Sequence, residues 1–190
     1  GAILMDYVEG KTLDLYDWKS YSQLKKYQIC FKILQAVYNA HANDVIHRDL
    51  KPQNIIYDDI KDEITIIDFG SSKIKTIIDK ETTMPMYSEN YSAPEVVKGN
   101  DITEKCDYYS LGAIFFELLL CRKAASSADM VNLIHKSSLN ESLKDILCAM
   151  LKDNPSDRPK SIDVIKDTFT ELIDESNASA HNYSISIDSE

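Results

Sequence analysis

Apolar residues recur at alternating steps of three and four along several parts of this 190-residue chain. This is the spacing of an amphipathic helix. The first stripe begins after Ser22 and ends near Asn43, and three later stripes cover 111–119, 143–151 and 162–173. The pattern therefore predicts a body made mostly of helices.

Two short β-branched runs lie between the first stripe and the others. They are NIIY at 54–57 and ITII at 64–67, and the polar stretch DDIKDE separates them. Two such runs on either side of a polar turn predict a β-hairpin. The run AILMDYVEG at 2–10 also has the composition of a strand, which would need a sheet to pair with.

The remaining stretches have no sustained hydrophobic period. Residues 71–95 contain Pro85 and Pro94, and a loop of that length in a compact domain is usually functional. Residues 176–190 are rich in Ser and Asn, and we expect a flexible tail there. The sequence thus predicts one domain over 1–175 followed by the tail.

Composition narrows the class of protein. With 44% hydrophobic and 27% charged residues the chain has an ordinary globular balance. The net charge of −10 argues against nucleic acid or a membrane surface as partner, because both attract clustered Lys and Arg. The four cysteines form no C-x-x-C pair, so we expect reduced thiols and a cytoplasmic protein.

The densest group of reactive side chains is HRDLKPQN, followed fourteen residues later by DFG. Asp49 and Asn54 lie on either side of Lys51, and Asp68 follows the second β-branched run. Carboxylate and amide oxygens are hard ligands that suit Mg²⁺. A metal, a carboxylate that orients a hydroxyl and a cation are the groups that phosphoryl transfer needs.

In these motifs the sequence resembles the eukaryotic-type protein kinases. HRDLKPQN is similar to their catalytic loop, DFG to their metal-binding turn, and APE at 93–95 to the end of their activation segment. The resemblance extends from about Ile3 to about Ile173. It implies a mainly α fold, the large lobe of a kinase, with a short β-hairpin that carries the catalytic and metal-binding loops.

The resemblance assigns the chemistry to four residues. Asp49 would be the catalytic carboxylate, and Lys51 would contact the transferring phosphate. Asn54 and Asp68 would be the metal ligands, so the implied cofactors are ATP and Mg²⁺. The lysine in DLKPQN is typical of members that phosphorylate serine or threonine of protein substrates. His47 alone is more often a packed core residue than a ligand.

The segment MDYVEG resembles the hinge that binds adenine. Met5 would be the gatekeeper, and the backbones of Asp6 and Val8 would bond the adenine edge. Ile56 would form the floor of the adenine site.

In the activation segment, the resemblance implies that Arg48 pairs with a phosphorylated residue. Thr82 and Thr83 lie close to where that phosphate is carried, and simple polar loop residues are an equal alternative. Ser88 falls where the family has a hydroxyl beside the catalytic aspartate.

Three further residues have structural roles by resemblance. Asp107 in DYYSLG would anchor the backbone of the catalytic loop. Arg158 in NPSDRP would be the partner of Glu95. A small-molecule phosphotransferase of related fold would need neither this pair nor APE, so both favour a protein substrate.

The resemblance begins at the hinge, so the sequence has no counterpart of the family's Gly-rich loop or of its strand lysine. Three explanations stay open. The chain is part of a full kinase, it receives a small lobe from another chain, or it is a catalytically silent lobe that binds proteins. A small-lobe or regulatory partner is expected on the apolar face that such a lobe covers. By itself the chain is expected to be inactive.

Overall fold

The structure is a computed structural model that describes residues 8–69, 90–100 and 102–187, with side chains as far as residue 179. The described part is mostly helical and has one small antiparallel sheet. The prediction of a mainly α fold with a short β-hairpin is therefore confirmed.

Helices account for most of the described chain. They are α1 (Gln23–His41), α2 (Pro94–Lys98), α3 (Lys105–Leu120), α4 (Ser127–His135), α5 (Glu141–Met150) and α6 (Ile162–Ile187). Short 3₁₀ turns occur at Leu13–Leu15, Trp18–Ser20, Pro52–Asn54 and Pro155–Asp157. The strands are β1 (Lys11–Thr12), β2 (Ile55–Asp58) and β3 (Glu63–Ile66).

The four predicted hydrophobic stripes correspond to helices α1, α3, α5 and α6. Ser22 caps α1, because its side chain accepts a hydrogen bond from the backbone N–H of Lys25 at 3.2 Å. Helix α4 was not predicted, because its nine residues are too few for a clear hydrophobic period. Helix α2 was not predicted either. It starts with a proline in its first turn and ends at Gly99 in the left-handed conformation.

The expected tail is partly helical, since α6 continues through Ile187. Its flexibility in solution stays a prediction. The expected N-terminal strand at 2–10 is described only from Val8 onward, and this part of it precedes β1.

The hairpin formed by β2 and β3 is antiparallel and pairs Ile55 with Ile66. Asp58 shapes its turn, because Oδ1 accepts hydrogen bonds from the backbone N–H groups of Ile60 and Lys61 at 3.0 and 3.1 Å. Strand β1 adds to the other edge of β2, so the order is β1-β2-β3. The sheet thus has one strand more than the predicted hairpin.

Helix α3 is the centre of the core. Every residue from Cys106 to Leu119 is buried, as expected for a helix that is enclosed on all sides. Phe115 of α3 packs edge-on against Phe169 of α6 with ring centroids 5.3 Å apart, and Phe169 in turn contacts Tyr27 of α1. Helices α1, α3 and α6 therefore share one apolar centre.

Helices α1 and α3 run in opposite directions. His41 at the end of α1 contacts Asp107 in the first turn of α3, and Lys26 in the first turn of α1 contacts Cys121, just after α3 ends. The chain leaves α1 beside the N-terminus of α3, so the HRDLKPQN loop begins next to the best-buried helix. In the described residues, no helix is long and apolar enough to cross a bilayer.

Gly10 occupies a position that a side chain cannot share. Its φ is +112°, and a Cβ there would lie 2.5 Å from the carbonyl oxygen of Tyr57 in β2. Gly99 also has a positive φ, +68°, but a Cβ there would meet nothing within 4 Å. Substitutions at the two glycines therefore distinguish the cost of backbone strain from the cost of a steric clash.

We expect Gly10→Ala to lower the free energy of unfolding by about 2–4 kcal/mol, through strain and the clash with β2. Gly99→Ala should lower it by only about 1 kcal/mol, because strain acts there alone. Urea denaturation of both variants measures the difference. Equal losses of unfolding free energy in the two variants would show that the chain near residue 10 can move away from β2 without further cost.

Candidate active site

A buried carboxylate anchors the start of the HRDLKPQN loop. Asp107 is fully buried, and its oxygens accept hydrogen bonds from the backbone N–H groups of His47 and Arg48 at 2.9 and 2.8 Å. The Nε2 atom of His41 lies 2.8 Å from the same carboxylate. Charged acceptors make the stronger kind of hydrogen bond, so this residue fixes where the loop begins.

The loop backbone at this point is strained. Arg48 has a φ of +70°, and Asp68, at the DFG turn, has a φ of +63°. Non-glycine residues rarely adopt this conformation, and each instance costs about 1–3 kcal/mol. The bonds to Asp107 offset the strain at Arg48 and orient the residues that follow.

His47 joins the catalytic loop to the strand that precedes the DFG turn. Its Nδ1 accepts from the backbone N–H of Asp49 at 3.3 Å, so Nε2 carries the proton that is donated to the carbonyl of Ile67 at 2.9 Å. The ring also packs edge-on against Phe69, with centroids 4.9 Å apart. This buried histidine connects two loops, in keeping with the packing role expected for it.

Asp49 and Lys51 are brought together in the loop. The Nζ atom of Lys51 lies 3.0 Å from Oδ2 of Asp49, and the side chains are 27% and 22% exposed. Both charged groups are thus accessible to solvent, while the backbone of their loop is hydrogen-bonded to Asp107. A carboxylate and an ammonium in contact provide a hydrogen-bond acceptor and a positive charge at one place.

Asn54 links the HRDLKPQN loop to the strand that precedes the DFG turn. Its Nδ2 donates to the carbonyl of Asp49 at 2.9 Å, and its own carbonyl accepts from the N–H of Ile67 at 2.9 Å. The side-chain nitrogen is thereby engaged, and the amide oxygen is the atom that suits a metal. Asp68 follows Ile67 directly and supplies a carboxylate.

An amide oxygen and a carboxylate match the hard oxygen ligands that Mg²⁺ prefers. Within the described ranges, no group of three or more His, Cys, Asp or Glu side chains is arranged to hold a metal. The residues therefore fit a magnesium ion that takes its other ligands from water and phosphate, the usual arrangement for this ion at phosphate sites.

Glu95 and Arg158 form a buried ion pair, 63 residues apart in sequence. Two hydrogen bonds of 2.6 and 2.8 Å join the guanidinium to the carboxylate. The same guanidinium donates to the carbonyls of Lys105, Lys152 and Asp153. The pair therefore attaches α2 to α3 and to the chain after α5.

A second contact, which the sequence analysis did not anticipate, ties the APE region to α3. Tyr91 donates its hydroxyl to Glu117 at 2.6 Å, and its carbonyl accepts from the hydroxyl of Ser110 at 2.8 Å. Lys123 also contacts Glu117 at 2.6 Å. Burial and the hydrogen bond to Glu117 raise the pKa of Tyr91 well above its usual value, so it donates at all physiological pH values.

Two of the unanticipated residues had a visible signal in the sequence. Glu117 is the one acidic residue in the apolar run LGAIFFELLLC, and a charge in such a run marks a buried partner. His41 occupies a position on the apolar stripe of α1. Its partner Asp107 lies 66 residues away, so the pairing itself had no local signal.

Several sequence-predicted residues lie outside the described part of the chain. These are Met5, Asp6, Thr82, Thr83 and Ser88. Val8 lies in the segment before β1 and Ile56 on β2, both half-buried. Arg48 is half-buried, and its Nε has no hydrogen-bond partner among the residues described.

Known proteins resemble this chain over most of its length. Residues 2–170 match the family model of the protein kinase domain. The chain is 37% identical over 123 residues to serine/threonine-protein kinase PrkC of Bacillus subtilis, covering 63% of this chain and 19% of that protein. It is 31% identical over 172 residues to serine/threonine-protein kinase Nek8 of Danio rerio, covering 83% of this chain and 24% of that protein.

Among solved structures, the kinase domain of PknI from Mycobacterium tuberculosis superposes with a TM-score of 0.65 at 21% identity. The match covers 88% of this chain and 63% of that one, and it shows a shared fold. The chain belongs to the protein kinase family, and its relatives are serine/threonine kinases. It spans about a fifth to a quarter of the length of the two curated relatives.

We expect Arg158→Met to lower the free energy of unfolding by about 3–5 kcal/mol, because it leaves the buried Glu95 carboxylate without its counter-charge. Arg122→Met, at an exposed arginine, is the control and should change stability by less than about 0.5 kcal/mol. Urea denaturation monitored by circular dichroism provides the values. A loss for Arg158→Met no larger than that of the control would show that the pair contributes nothing.

Proposed function

We propose that this chain is the large lobe of a protein kinase that transfers phosphate from Mg-ATP to serine or threonine of protein substrates. The observation that carries the proposal is the contact between Asp49 and Lys51 on a loop whose backbone is bonded to buried Asp107. Catalysis of phosphoryl transfer consists mostly of positioning and charge stabilisation. The pair of Asp49 and Lys51, accessible to solvent on a loop that is bonded to Asp107, supplies both positioning and charge.

Bound Mg-ATP would supply the phosphoryl group and the positive charge that offsets the charge of the phosphates. Asn54 and Asp68 would hold the metal through their oxygens. Asp49 would accept a hydrogen bond from the substrate hydroxyl and take its proton, as the hydroxyl oxygen bonds to the γ-phosphorus and the bond from that phosphorus to the ADP oxygen breaks. Lys51 lies beside that carboxylate and stabilises negative charge on the transferred group.

Protein substrates are favoured over small molecules because the APE region is attached so firmly. The ion pair of Glu95 with Arg158 and the hydrogen bond of Tyr91 to Glu117 hold this region against α3. A small phosphate acceptor has no need of a rigid surface beyond the reacting groups. A peptide substrate does need such a surface, because several of its residues must be oriented together.

The cellular setting is part of the same proposal. All four cysteines are free thiols, which supports a reducing, cytoplasmic environment. A small lobe, whether from the same protein or from another chain, would complete the grip on the phosphates that Lys51 and the metal ligands provide from one side.

The test is phosphate transfer from labelled ATP to a serine/threonine peptide library. It should be run on the chain alone and on a version of the protein that carries a small lobe. We expect activity only from the two-lobed version, because phosphates held from one side stay solvated. Mg-ATP binding without transfer by the two-lobed version would favour the silent, protein-binding lobe instead.

Asp49→Asn in the two-lobed version should reduce turnover by about 10²–10⁴-fold, because an amide cannot take the proton of the hydroxyl. Folding should change little, since the side chain reaches solvent. Asp59→Asn, at an exposed position of the hairpin turn, is the matched control and should keep full turnover. Turnover of Asp49→Asn equal to that control would remove Asp49 from the mechanism.

Asp68→Asn should raise the Mg²⁺ concentration that gives half-maximal activity by at least about tenfold, because a neutral amide is a weaker ligand for a hard cation. Asparagine tolerates the positive φ at this position, so the backbone should be preserved. Asp44→Asn is the matched control, since Asp44 is exposed and has a φ of +57°. An unchanged Mg²⁺ dependence for Asp68→Asn would contradict the metal role.

A further inference from the structure

Lys26 has an unusual neighbour for a buried lysine. It lies in the first turn of α1 and is only 6% exposed. Its Nζ is 3.2 Å from Sγ of Cys121, which follows α3 in the left-handed conformation with a φ of +54°. Among the described residues, no carboxylate lies within ion-pair distance of Lys26, so a thiol is the partner that the amine contacts.

A second cysteine lies close to the same lysine. Cys30 is one turn further along α1 and is completely buried. Burial raises the pKa of the Cys30 thiol well above its usual value, and the charge of Lys26 acts against this. Cys121 is partly exposed. Of the two thiols, Cys121 is therefore the one that is accessible to a dissolved oxidant.

We propose that Lys26 and Cys121 are a peroxide-responsive pair that forms a covalent sulfenamide bond between the start of α1 and the end of α3. The inference uses the contact of amine and thiol alone and does not depend on kinase activity. Hydrogen peroxide, the commonest hydroperoxide in cells, is the oxidant.

The reaction takes place in two balanced steps. In the first, the Cys121 sulfur attacks one oxygen of hydrogen peroxide, so that an S–O bond forms, the O–O bond breaks and water leaves. In the second, the Lys26 ammonium releases one proton to solvent, and the resulting amine attacks the sulfur of this sulfenic acid. An S–N bond forms, the S–O bond breaks, and the departing hydroxide takes one amine proton to give a second water. Sulfur is oxidised by two electrons, and the peroxide is reduced.

The geometry favours the second step over loss of the sulfenic acid to other reactions. Sulfenic acids condense with nitrogen nucleophiles that are held next to them, and an amine already in contact has a large effective concentration. The flexible four-carbon stem of lysine allows the remaining approach from 3.2 Å. Thiol reductants reverse the bond, so the pair can switch in both directions.

The bond would lie at one end of a helix pair whose other end supports the catalytic loop. The contact of His41 with Asp107 joins α1 to α3 there, and Lys26 with Cys121 joins them at the opposite end. Oxidation would thus clamp α1 against α3 across 95 residues of sequence. Such a cross-link stabilises a fold by restricting its unfolded state.

The test is peptide mapping by mass spectrometry after the chain has been treated with hydrogen peroxide. We expect a cross-linked peptide that contains Lys26 and Cys121 and is about 2 Da lighter than the sum of its parts, because two hydrogens are lost. Dithiothreitol should restore the separate peptides. Sulfenic or sulfinic acid at Cys121 with no cross-link would overturn the proposal.

A disulfide between Cys30 and Cys121 would have the same mass change, and two variants separate it from the sulfenamide. The cross-link should persist in Cys30→Ser, whereas a disulfide would disappear. In Lys26→Arg the sulfenamide cross-link should be lost. Cys121 should then be labelled by dimedone, a reagent for sulfenic acids. Cross-linking that survives Lys26→Arg or is abolished by Cys30→Ser would overturn the proposal.

The cross-link between Lys26 and Cys121 should also change the thermal stability of the chain. Peroxide should raise the unfolding midpoint of the chain by roughly 5 °C or more, and dithiothreitol should lower it again. The rise should be absent in Cys121→Ser and present in Cys148→Ser, which removes a buried thiol of α5 instead. A cross-link that formed without raising the midpoint would overturn the clamping role.

Discussion

The buried carboxylate of Asp107 is the constraint on which the rest of the site depends. It lies in the first turn of the central helix α3 and accepts hydrogen bonds from the backbone of His47 and Arg48. A buried charge requires strong partners, and here these partners are the peptide groups that begin the catalytic loop. The positive φ of Arg48 persists because those bonds hold it. The orientation of every later loop residue follows from this attachment.

From that anchor the site is built by short links between neighbouring segments. His47 bonds the carbonyl of Ile67, and the carbonyl of Asn54 bonds the N–H of Ile67. The HRDLKPQN loop and the DFG turn are therefore joined, although Asp68 lies fourteen positions after Asn54. On the other side, Glu117 and Arg158 attach the APE region to the same helix. Helix α3 thus holds both the HRDLKPQN loop and the APE region.

Elements with a long hydrophobic period could be predicted from the sequence because local spacing alone determines which face is buried. This is why α1, α3, α5, α6 and the hairpin were expected and found. Helix α4 has too few residues for a period. Helix α2 depends on packing by Glu95, a contact made across 63 residues.

The sequence alone identified the chemical groups of the candidate site. HRDLKPQN and DFG contain two carboxylates, a lysine and an amide, and the hairpin between the two motifs brings them close together. The tertiary structure added contacts that no motif had assigned. The bonds of Asp107 to His41, of Tyr91 to Glu117 and of Lys26 to Cys121 join positions 26 to 95 residues apart. No local pattern encodes such pairs, because they arise only when whole helices pack and bring their ends together.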